Sequence, residues 1–240
     1  MSATGPGGRC GWVEKLLNLL YPPKCAFCRK LVRDGRMLCP ACEKTIARTG
    51  ADAARQDIPH LALCLSPLYY TGAVQQSLQR YKFRGAAAYY RIYAELMASC
   101  LREQGGEYDR VSWVPLSRRR LRERGYDQAR LLAEEVARQM DLPCERLLSK
   151  TKNNRRQSNT RSMRERFDNV KGVYACCGAP AGKRILLIDD IVTAGATLSE
   201  AAGVLLNAGA KSVTGLTAAR TPTNGEARTD GNGDSGYADF

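Results

Sequence analysis

The stretch Ile185-Leu186-Leu187-Ile188-Asp189-Asp190-Ile191-Val192-Thr193-Ala194-Gly195-Ala196-Thr197-Leu198 constrains the fold more than any other part of the chain. Four consecutive apolar residues suit a strand covered on both faces, as in the middle of a parallel sheet. Two carboxylates follow where that strand ends, and open α/β sheets bind ligands beyond the carboxyl ends of their strands. A small, hydroxyl-bearing loop then opens into a helix. Amides at a helix start, a glycine that permits close approach and the hydroxyls of Thr193 and Thr197 together suit a phosphate. The adjacent acids suit two neighbouring sugar hydroxyls. The plainer alternative is that the acids only cap the following helix, but two acids closing an apolar strand ahead of such a loop favour a ligand site.

The rest of the chain repeats this grammar. Residues 111–114 read as a strand, 115–124 as a basic turn and 126–139 as a helix. Residues 183–188 read as a strand, 189–194 as a loop, 195–207 as a helix and 211–218 as a closing strand. Upstream, 61–70 reads as an apolar strand, 72–81 as a short helix and 86–103 as a longer one with Tyr89, Ile92, Tyr93, Leu96 and Met97 at helical spacing. Alternating strands and helices predict a mostly parallel, doubly wound α/β sheet. The acid-pair string looks like the signature of the type I phosphoribosyltransferases, which bind phosphoribosyl diphosphate (PRPP). That resemblance implies that Asp189 and Asp190 face the ribose hydroxyls. It assigns the 5′-phosphate to Thr193, Ala194, Gly195, Ala196 and Thr197.

The N-terminal part follows other rules. Cys25 and Cys28 form one Cys-x2-Cys pair, and Cys39 and Cys42 another, ten residues on. Two such pairs complete a four-thiolate site of the structural zinc type, and a module this small needs a metal to fold. A redox pair and an iron–sulfur cluster are the rivals. The other six cysteines lack ligand spacing. A short helix over 1–21, a zinc ribbon over 22–50, the α/β domain over 60–220 and a disordered tail over 221–240 are the expected divisions, with the polar stretch 49–60 as boundary.

With no secretory signal and no apolar run near the roughly 20 residues that span a bilayer, the expected compartment is the cytoplasm. Of the formal charge of +13, the stretch 110–171 supplies most, with 17 Arg/Lys against 8 Asp/Glu, which favours phosphorylated or polyanionic partners. Leu116, Ser117 and Arg118, just after a strand, are placed to meet a ligand, and the outer arginines suit nucleic acid backbone. Residues 150–166 read as a mobile loop that closes over the ligand. His60 is the sole histidine, which argues against Ser–His–Asp hydrolysis and His-ligated catalytic zinc.

In order along the chain, the paired cysteines, the Tyr81-Lys82-Phe83-Arg84-Gly85 element, the block from Val114-Pro115-Leu116 to Gln128, then Gln157, Arg166, Asn169 and the acidic loop resemble the ComF (ComF/GntX) family of competence-associated proteins. The pair Tyr126-Asp127 stands where that family commonly has an aromatic and an asparagine. The resemblance implies a type I phosphoribosyltransferase-like fold preceded by a zinc ribbon, and a part in DNA handling during natural transformation with the competence machinery. It makes Leu116, Ser117 and Arg118 the diphosphate loop and brings Mg²⁺ in with PRPP. A phosphoribosyltransferase, with Asp189 and Asp190 as catalytic residues, and a non-catalytic module for nucleotides or single-stranded DNA both fit.

Overall fold

The computed structural model describes residues 23–32, 36–52, 54–83, 85–152 and 163–223, so the expected N-terminal helix and nearly all of the tail lie outside the described residues. The chain divides into two compact units, Met1–Ile46 and Ala47–Phe240.

In the first unit, Cys25 donates its amide to the Lys30 carbonyl at 2.8 Å and Ala26 donates to Met37 at 2.8 Å. These bonds fold the first cysteine pair into a tight turn beside the second. Helix α1 (Pro40–Thr45) starts at the second pair, with Pro40 in its first turn, where no amide donor is needed.

The second unit is built on a sheet of strands β1 (Arg55–Gln56), β2 (Leu63–Leu65), β3 (Leu68–Tyr69), β4 (Arg110–Trp113), β7 (Arg184–Val192) and β8 (Ser212–Arg220). Its order is β1-β2-β8-β7-β4, with β3 also pairing β8. Every pairing except β1 with β2 is parallel. Helices α2 (Gly72–Phe83), α3 (Tyr90–Gln104), α4 (Arg118–Arg124), α5 (Gln128–Met140), α6 (Met163–Asp168) and α7 (Ala196–Asn207) accompany it. A separate antiparallel ribbon joins β5 (Leu148–Lys150) to β6 (Tyr174–Cys176). The expected α/β architecture with a parallel sheet is therefore observed. Ile185, Leu186, Leu187 and Ile188 are all buried in β7, as their uninterrupted apolar run requires.

Several elements differ in extent from the sequence reading. The stretch 61–70 is two short strands, because Pro67 lacks the amide that a continuous ladder needs. The basic segment expected to be a turn is mostly helix α4. Ser117 caps its N-terminus by accepting the Arg120 amide, and Gly125 closes it in the left-handed region. The stretch 49–60 is integral to the second unit: β1 lies within it, and Ala54 and Ile58 are buried. Strand β7 runs on to Val192, so both acids belong to the strand rather than to the loop. Of the expected closing loop, Lys150 lies on β5 and Arg166 on α6, while 153–162 lies outside the described residues.

Candidate functional site

Strand β7 delivers Asp189 and Asp190 at the carboxyl edge of the sheet, and neighbouring residues of a strand point to opposite sides. Asp190 is 9 % exposed and pairs with Lys82 at 2.8 Å between Nζ and Oδ1. Asp189 takes the other side. Its Oδ1 accepts the Asp190 amide at 2.8 Å, and its carboxyl is pushed up to about 7 by burial and then by the neighbouring Asp190 charge, against the opposing bond from the Asp190 amide. The two acids therefore differ in environment, one matched by a lysine and one holding its proton near neutrality.

Beyond Val192, the loop turns through Gly195 at φ +76° and enters α7. A side chain at Gly195 would strike Ile58, since an added Cβ would lie 2.8 Å from its Cδ1. Glycine thus serves both the left-handed backbone and the close packing. No side chain caps α7 at this end, so its first amides are available to a ligand. Thr193, Ala194, Gly195, Ala196 and Thr197 line a cavity of about 60 Å³ together with Asp189 and Arg166.

The second expected loop leaves the sheet alongside the first. Trp113 is in register with Ile188, and the Val114 amide donates to the Ile188 carbonyl at 3.0 Å. Asp127 ties this loop down: its Oδ2 accepts the Leu116 amide at 3.1 Å, and its Oδ1 accepts the Arg130 amide at 3.3 Å. The aspartate serves both donors with its two oxygens. Burial pushes the Asp127 carboxyl upward. Leu116 and Arg118 line a different cavity, a groove of about 570 Å³ shared with Trp113, Tyr126, Arg130 and Arg146. Ser117 is buried and occupied as the cap of α4. The two loops are thus neighbours on one sheet edge without sharing one cavity.

Two basic residues stand out that sequence reasoning did not single out for roles. Lys82 was visible only as part of the Tyr81–Gly85 element, and nothing local signals its pairing with a distant acid. Lys150 lies 5.3 Å from the centroid of the Tyr174 ring. Its ammonium is held down to about 8 by burial and then by nearby Arg120, against the attraction of Asp189.

In the N-terminal unit the Sγ atoms of Cys25, Cys28, Cys39 and Cys42 all lie within 4.8 Å of one another. Cys28 and Cys39 sulfurs are 3.6 Å apart, near the edge of about 3.8 Å that a tetrahedron of zinc–sulfur bonds sets. The Cys39 amide donates to Cys25 Sγ at 3.5 Å and the Cys42 amide to Cys39 Sγ at 3.4 Å, which suits thiolates held for a metal. The four residues fit a structural zinc ion, and no position is left open for substrate.

The description "Phosphoribosyl transferase domain" matches residues 127–230, and "Double zinc ribbon domain" matches residues 16–53. Competence protein ComFC of Streptococcus pneumoniae is 30% identical over 187 residues, covering 75% of this chain and 80% of that protein. The chain belongs to the ComF family. Other relatives of this ComF chain are DNA utilization protein YhgH of Salmonella typhimurium, 29% identical over 216 residues (86% of this chain, 94% of the relative), and Competence protein ComFC of Bacillus subtilis, 33% identical over 154 residues (63% and 62%). The fold, a four-cysteine zinc ribbon followed along the chain by a parallel α/β sheet, is as the sequence led one to expect. No helix among the described residues is long and apolar enough to cross a membrane.

Proposed function

We propose that the β7–α7 loop binds PRPP with Mg²⁺ and that this ComF protein serves DNA uptake or handling in natural competence. The observation that carries the ligand is the placement of an acid pair directly before an uncapped helix start lined by threonines and glycine. In this reading Asp189 and Asp190 accept the ribose hydroxyls, and residues 193–197 hold the 5′-phosphate with amides and hydroxyls. The loop of Leu116, Ser117 and Arg118 meets the diphosphate, with the Arg118 guanidinium at its mouth. The printed names of the relatives, a competence protein and a DNA utilization protein, support the cellular setting.

Among the described residues the four cysteines are the one group of three or more Cys, His, Asp or Glu placed to hold a metal. A second ion would therefore enter on the ligand's own phosphates, as suits Mg²⁺. Bound there, Mg²⁺ would neutralise charge on the diphosphate. The chain's own part is to hold the ribose hydroxyls at the acids that end β7 and to offset negative charge beside C1′ with Arg118, Arg120 and Lys150, by positioning and electrostatics.

A non-catalytic module for nucleotides or single strands is the second reading, favoured by the exposed arginines Arg119 and Arg122 on α4. Thermal denaturation separates the two. Saturation with PRPP and Mg²⁺ at about 100 times Kd contributes about 2.7 kcal/mol, or roughly 5–10 °C for a chain of this size, and Asp190→Asn removes that rise. No rise with PRPP, beside single-strand binding that weakens steeply with salt and on neutralising Arg119 and Arg120, would replace the first reading with the second.

A further inference from the structure

Every donor of the β7–α7 loop is neutral: backbone amides and the hydroxyls of Thr193 and Thr197. Such donors serve any phosphate oxygen and do not by themselves tell a monoester from a diester. Arg166 supplies the missing charge. It sits on α6, outside the loop, and lines the same cavity. The side chain is half-buried. Four other arginines of the basic stretch are engaged by acids, Arg110 with Glu145, Arg119 with Glu123, Arg130 with Glu134 and Arg138 with Glu135. Among the described residues no carboxylate lies within ion-pair distance of the Arg166 guanidinium.

The cavity of about 60 Å³ has room for about four or five water-sized groups. That matches the phosphorus and four oxygens of one phosphate group. We infer that Arg166 makes this cavity select a terminal phosphate monoester on ribose over the internal phosphodiester of a nucleic acid strand. The inference rests on the reading of residues 193–197 as a 5′-phosphate cradle. A guanidinium presents a planar fork to two oxygens of a dianion. A monoester offers up to two charges and three free oxygens, enough for the fork and the loop donors together, whereas a diester offers one charge and two free oxygens for which they compete.

Calorimetric titration of the full chain with three probes tests this: ribose 5-phosphate, its methyl phosphodiester, and ribose. Wild type should bind ribose 5-phosphate at least ten times more tightly than the methyl diester. Arg166→Ala should weaken ribose 5-phosphate by about ten- to a hundredfold, the range for losing a charge-assisted hydrogen bond, and bring the ratio of the two esters toward one. Arg166→Lys should recover part of the loss, and Arg166→Gln, which keeps the side chain's length, should behave as the alanine variant if the latter folds poorly. Unchanged affinity in Arg166→Ala would overturn the inference. So would an equal loss for all three probes, which would make Arg166 a support of the cavity wall and not a phosphate ligand. A wild type that binds neither ribose 5-phosphate nor PRPP would overturn the underlying site reading, and this inference with it.

Discussion

Asp189→Asn separates what the acid pair does for a ligand from what it does to the fold. The carboxyl rises from its ordinary 3.8 to about 7, chiefly through burial. At about 1.4 kcal/mol per factor of ten, that displacement corresponds to roughly 4 kcal/mol of cost for ionising the group in the native state. Solvent reaches the half-buried side chain, so the recoverable part is roughly 2 kcal/mol. The sign follows from proton counting. Between about pH 4 and 7 the native chain holds a proton that the unfolded chain has released, so this group's contribution falls as pH rises. Asparagine stays neutral and its oxygen can still accept the Asp190 amide. The substitution should therefore stabilise the chain by roughly 2 kcal/mol at pH 8, a rise of about 4–8 °C in Tm, and by about half as much at pH 5.5. Urea unfolding of the full chain at both pH values reads this directly. A loss of stability at pH 8, or a gain that does not change with pH, would refute the argument. The same variant should lose PRPP, an instance of stability traded against function.

Other outcomes follow from single contacts. Lys82→Met should cost about 2 kcal/mol, between the limits for surface and fully buried pairs. A double-mutant cycle with Asp190→Asn in urea should return a coupling above about 0.5 kcal/mol, whereas additive effects would dismiss the pair. Gly195→Ala should cost about 1–3 kcal/mol from its positive φ and the clash with Ile58. Adding Ile58→Ala should relieve part of that cost, and a neutral single variant would contradict the packing. Metal analysis should find one zinc per chain, and chelation should release amide-exchange protection across residues 23–46. Protection that survives complete metal removal would rule out a structural role.

The parts legible in the sequence are those whose signal is local. Ile185, Leu186, Leu187 and Ile188 announce a central strand because a parallel sheet covers both faces, and the glycine and threonines after the acids announce a loop that opens into a helix. Two cysteine pairs announce their metal through spacing alone. Helix α4 was hidden by its charge: six of its seven residues are charged, so periodicity carried no signal, although Ser117 and Gly125 marked both ends. The ribbon of β5 and β6 was hidden by brevity, with three residues in each strand. Lys82 and Asp190, and Arg166 and its cavity, meet only through the tertiary fold. No spacing rule links a lysine at the end of α2 to an acid on β7, or α6 to the start of α7.

The central claim is where the ligand sits, and amide chemical shifts of the isotope-labelled chain titrated with PRPP and Mg²⁺ report that residue by residue. The account predicts saturable shifts at Asp190, at residues 193–197 and at Leu116 and Arg118, with ribose 5-phosphate reproducing only those of the β7–α7 loop. Shifts confined to the zinc ribbon or to α4, or no saturable shifts in the loop after β7, would contradict it.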